Sequence, residues 1–158
     1  MSARTLAIVA TLALILASAV TSAAGCGGSD SGGGPGTVGI NGYDIDQAYQ
    51  DAAKSAARNI PPHGVYVVSF FNDAPVQSSG IHGASGALDV EAAESDIIET
   101  IDGQPATEKL VRGVYPGKKA GDEVTLHVWP AKGAPRDIKV KLAAAPKDDG
   151  SGGYFPGG

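Results

Sequence analysis

The stretch DIIETIDGQPATEKLVRGVYPGKKAGDEVTLHVWPAKGAPRDIKVKLAAAP, residues 96–146, decides the fold. Ile97, Ile98 and Ile101 form a β-branched run that ends at Asp102-Gly103, a pair that accepts the positive φ angles of a tight hairpin turn. Thr107 is placed to cap a short helix, and Glu108 falls in its first turn, where the helix dipole favours negative charge. Leu110, Val111 and Val114 give that helix one apolar face, and Pro116-Gly117 stops it. Val124, Leu126 and Val128 alternate with Thr125, His127 and Trp129, the period of a half-buried strand. Ile138, Val140 and Leu142 repeat that period against Asp137, Lys139 and Lys141. The stretch therefore predicts strand, turn, short helix and a closing hairpin.

Upstream, GVYVVSFF at residues 64–71 is the strongest strand signal in the chain, dense in β-branched and aromatic residues. Residues 44–59 predict a helix: Ile45, Ala48, Tyr49, Ala52, Ala53, Ala56 and Ala57 recur at helical spacing. Asp44 with Gln47 resembles a capping box, and Pro61-Pro62 ends the segment. Asn72-Asp73-Ala74-Pro75 and then residues 76–81 follow the strand. Residues 82–95 are rich in Ala, Gly and acids, which predicts a surface loop or one helical turn, with a lid as the alternative.

These pieces, in this order, resemble a bacterial-type, circularly permuted PDZ domain. The resemblance rests on Asp96-Ile97-Ile98, Ile101-Asp102-Gly103, Leu110, Gly121-Asp122 and the terminal hairpin, preceded by the aliphatic-Gly-aliphatic loop Val38-Gly39-Ile40. Residues 82–95 are an insertion relative to the family pattern, and Thr37 stands where an aromatic is usual. The resemblance implies an α+β fold over residues 37–146: a small, partly open antiparallel β-barrel or sandwich capped by two or three short helices. It also implies a peptide-binding groove. The backbone N–H groups of Val38, Gly39 and Ile40 would hold a peptide carboxylate, since consecutive amides in a turn form an anion nest. The peptide would add as a strand beside Ile40, Asn41 and Gly42. Its last side chain would enter a pocket formed by Val38, Ile40, Leu110, Val111 and Val114.

The N-terminus carries an export signal. Arg4 precedes an apolar run at residues 6–20, which at 1.5 Å per residue reaches roughly 22 Å, short of a ~30 Å hydrocarbon core. A cleavable signal peptide over residues 1–25 follows. The single cysteine comes next, in Ala23-Ala24-Gly25-Cys26, which resembles the lipobox of bacterial lipoproteins with Ala23 in the usual leucine position. The resemblance implies lipid on Cys26 and a domain held on the outer face of the cell membrane. Cleavage after Ser22-Ala23-Ala24, giving a secreted protein, is the alternative. Residues 26–36 then supply a Gly/Ser tether, and the Gly-rich tail 147–158 is expected to be disordered.

Several classes are disfavoured. Acidic residues number 17 against 12 basic, so nothing marks a nucleic-acid surface. Asp30-Ser31-Gly32-Gly33 looks like the surroundings of a serine nucleophile, but it lies in the tether without a base or an oxyanion scaffold. His63, His82 and His127 lack metal-ligand spacing. No enzyme, no cofactor and no metal are expected. The expected function is a membrane-tethered module that recognises C-terminal or extended segments of exported proteins, as an adaptor or regulator of an envelope protease. The alternative is a structural docking lipoprotein with a vestigial groove.

Overall fold

The computed structural model describes residues 33–145. The expected signal peptide, Cys26 and the tail 147–158 lie outside the described residues.

The fold is α+β, built on an antiparallel sheet. Its strands are β2 (Ile40–Asp44), β3 (Val65–Phe70), β4 (Ile97–Ile101), β6 (Glu123–Trp129) and β7 (Arg136–Lys141), hydrogen-bonded in the order β2-β3-β4-β6-β7. The short β5 (Gln104–Pro105) pairs only with β4, and β1 (Gly36–Thr37) pairs with β8 (Ala143–Ala144) outside that sheet. The sheet does not close into a barrel; β2 and β7 remain as its two edges. The first strand draws in residues read as tether: Gly34 O accepts Ala120 N–H at 3.0 Å, and Gly36 pairs with Ala144.

Alternation in the strands sorts the side chains into two cores, because successive residues of a strand face opposite ways. Val65, Val67, Ile98, Ile101, Leu126 and Val128 face inward and are buried. Each such side chain stabilises the fold by about 1.5–3 kcal/mol relative to exposure. This face is covered by a 3-10 turn (Pro75–Ser79), which buries Val76, and by α3 (Glu108–Arg112), which buries Val111. The other face carries Tyr66 and Ile97, joined by Trp129, and is covered by α1 (Gln47–Ser55) and α2 (Leu88–Glu94).

The 82–95 segment is thus a structural layer behind β3. It forms α2 and packs on α1, on the face of the sheet away from α3. The Tyr49 hydroxyl lies 3.0 Å from Ser95 Oγ, Arg58 Nη1 donates to Ala92 O at 2.8 Å, and the Tyr49 ring stacks on Tyr66 at 4.2 Å between centroids. Burial drives both tyrosine hydroxyls above their ordinary range, Tyr66 to about 12.

Two helix boundaries depart from expectation. α1 is capped by Asp46, whose carboxylate accepts Tyr49 N–H at 2.8 Å, and not by Asp44, which belongs to β2. It ends early because Ala57 enters the left-handed region at φ 53°, letting Arg58 N–H close on Ala53 O. α3 ends at Arg112, not at Pro116; Val114 therefore falls beyond the helix and is 52% exposed. Thr107 does cap α3, accepting Leu110 N–H at 3.3 Å. Asp102 and Gly103 both have positive φ, as the hairpin turn requires.

Candidate functional site

The free edge of β2 is defined by its ladder. Phe71 N–H donates to Gly39 O and Ile45 N–H to Gly64 O, each at 2.9 Å, while Ile40 faces Phe70 and Asp44 faces Val65. Those bonds make Ile40 and Asp44 members of non-hydrogen-bonded pairs, whose own N–H and C=O groups point away from the partner strand. Gly42 lies midway between them and points the same way. Its partner Val67 sends its N–H to Asp96 O instead, past a β-bulge opposite Asn41 and Gly42. Three residues therefore direct amides and carbonyls off the sheet. Among the described residues, no backbone group of another element pairs with them.

α3 runs along that edge, antiparallel to β2, and side chains fix it at both ends. At one end Asp44 Oδ1 accepts Glu108 N–H at 2.7 Å. At the other, the Thr37 hydroxyl donates to Arg112 O at 3.5 Å and accepts Gly39 N–H at 3.3 Å. The Arg112 guanidinium pairs with Glu108 one turn earlier and lies 5.8 Å from the centre of the Tyr43 ring. The strand and helix thus touch through named polar bonds as well as through the core.

The residues expected to form the site divide accordingly. Val38, Ile40 and Val111 are fully buried in one core cluster, with Leu110 packed against it, so their side chains meet but fill the protein interior. Val114 is set apart and exposed. Asn41 faces the other way and donates to Ser69 Oγ at 3.1 Å. A small cavity of about 140 Å³ opens there, lined by Asn41, Gly42, Tyr43, Val68, Ser69 and Arg112. Of the three expected amide donors, Gly39 is already bonded to Thr37, whereas Ile40 points to the free edge. Gly39 has φ 79°, and a Cβ there would meet Ala74 Cβ at 2.7 Å, so the loop is both left-handed and tightly roofed.

Tyr43, Asp44 and Arg112 were not singled out for this site by their sequence, and Thr37 was marked only as a departure from the family pattern, not as a hydrogen-bonding group. Glu108 and Arg112 are readable as an i, i+4 ion pair. Asp44 and Glu108 are 64 residues apart, and nothing local announces their bond.

Elsewhere, polar clusters tie turns to strands. Asp102 accepts Thr125 N–H at 2.8 Å and pairs with Lys118 Nζ at 2.8 Å. Desolvation works against its ionised form, but Lys118, the Thr125 amide and the Tyr115 hydroxyl outweigh it and hold the carboxyl below its usual range. His127 Nδ1 lies 2.6 Å from Asp137 Oδ1 on the solvent side of the sheet. Among the described residues no group of three or more His, Cys, Asp and Glu side chains has the arrangement to hold a metal ion. No protein-family model and no curated protein matches the chain.

Proposed function

We propose that this chain is an exported, lipid-anchored peptide-recognition module of the PDZ kind, taking extended segments of exported proteins as a strand on the edge of β2. The observation that carries the reading is the outward row of main-chain groups at Ile40, Gly42 and Asp44, beside a short helix. Buried backbone amides and carbonyls left without partners are costly, and an added strand satisfies them in register. The element order from β2 through β7, with α3 against β2, supports the PDZ resemblance. The apolar run before Cys26 and the glycine-rich tether support the anchor and its place outside the membrane. An envelope protease that receives or processes the same segments is the proposed client.

The test is a display screen of random extended peptides against the full chain, followed by N-methylation of each hit at alternate residues. Strand addition predicts that methylation in one alternating set abolishes binding, while the other set binds as before. Equal losses in both sets defeat the reading.

The competing reading is a folded docking module whose cleft is shut, and the bonds that hold α3 onto β2 favour it. It predicts no binding of any peptide but stable capture of a folded partner.

A further inference from the structure

We infer that the edge of β2 takes the interior of an extended polypeptide and gains nothing from a terminal carboxylate. This rests on the strand-addition reading above and names the class of segment that it takes. A strand added to β2 places its C-terminus at one of two ends, according to its direction.

In the antiparallel direction, the terminal carboxylate arrives at the 37–39 loop. A carboxylate is held there only by amides free to donate, because leaving a charge without hydrogen bonds away from water is strongly unfavourable. Gly39 N–H is committed to the Thr37 hydroxyl, and Thr37 is itself fully buried and bonded to Arg112 O. Val38 is also fully buried, and Ala74 lies against Gly39. Gly39, the centre of the expected three-amide nest, is thus taken by the protein's own hydroxyl, which leaves Ile40 pointing to the edge as part of the strand's ladder.

In the parallel direction, the terminal carboxylate arrives at Asp44. The Asp44 carboxylate lies there, with Glu108 following at the start of α3. Two carboxylates within a few ångströms repel, so this end disfavours an anion by charge. The guanidinium at the edge is engaged by Glu108 and lies near the Tyr43 ring.

What the edge does offer is neutral: alternating N–H and C=O groups at Ile40, Gly42 and Asp44. That pattern matches uninterrupted main chain. An internal segment leaves no charged terminus at either end, so neither obstacle applies to it.

The experiment takes peptides selected on the full chain and measures each in three forms by fluorescence anisotropy: with a free carboxylate, amidated, and lengthened by four Gly/Ser residues beyond its C-terminus. The expected result is affinity within about threefold across the forms, or tighter binding of the last two. A tenfold or greater loss on amidation and on lengthening overturns the inference and leaves strand addition standing. Absence of binding by every form overturns both.

Discussion

The Asp44 carboxylate accepts the Glu108 N–H at 2.7 Å, so a residue of the edge strand pins the start of the helix beside it. The contact is exposed, and a bond of this kind to a helix's first turn contributes about 1 kcal/mol. Asp44→Ala is expected to lower stability by about that amount. It should also raise the hydrogen-exchange rate at Glu108 well before the rates in β6 change. Uniform acceleration across the domain would deny the pin a local role.

Val111 and Val114 are expected to separate sharply on substitution. Val111 is fully buried and Val114 is 52% exposed. Val111→Ala should cost about 2 kcal/mol through lost burial and a cavity. Val114→Ala should stay within about 0.5 kcal/mol. Urea denaturation of the two variants checks both values, and similar losses would mean that the helix continues to Val114 in solution.

Ala57 ends α1 at φ 53°, where glycine has no Cβ penalty. Ala57→Gly should therefore stabilise the protein by about 1 kcal/mol. For a domain of this size that corresponds to a rise in Tm of roughly 4–8 °C. A fall in Tm would place Ala57 in ordinary helical backbone.

Alkaline pH should weaken the fold through the tyrosine stack. Burial raises the Tyr66 hydroxyl from 10.0 to about 12. Above the unfolded value the unfolded chain ionises while the folded one stays neutral, so stability is lost as pH rises from about 10 towards about 12. Tyr66→Phe should flatten this slope in denaturation curves followed across that range. An unchanged slope would assign the alkaline loss to other groups.

Acid acts through Asp102 with the opposite sense. Its carboxyl is held below the usual range, so its contribution is present above the unfolded pKa and lost as pH falls through the folded one. Asp102→Asn keeps a residue that tolerates φ 49° but removes the pairing with Lys118. The stability gap between variant and parent should be open at pH 6 and narrow as pH falls below the unfolded value of about 4. A constant gap would locate the effect in the turn's geometry instead.

Much of the architecture was legible because its signals are local. The alternation of Val124, Leu126 and Val128, the Asp102-Gly103 turn and the Thr107 cap each depend on residues a few positions apart, and each lies where the pattern set it. The helix at residues 44–59 was legible in kind but not in extent. The pattern pointed to Asp44 as the cap, but β2 extends through Asp44 and the cap falls to Asp46. The role of residues 82–95 was hidden for another reason. Ala92 and Ser95 acquire meaning only against Tyr49 and Arg58, which the sheet brings to them from far along the chain. In the site, the main-chain direction of Ile40, Gly42 and Asp44 follows from ladder register, a quantity that no side-chain pattern encodes by itself.

Pro35 O accepts the Ala145 N–H at 2.9 Å, so the polypeptide enters and leaves the fold at neighbouring points. Tension applied between these two points peels β1 from β8 one rung at a time, like a zipper, because both grips sit at the same end of an antiparallel pair. That pair has two rungs, Gly36 facing Ala144 and Thr37 facing Ala143, and Gly36 is bonded as well to Lys118 O and the Tyr115 N–H, so a pull on the two ends falls first on these contacts and not on the main sheet.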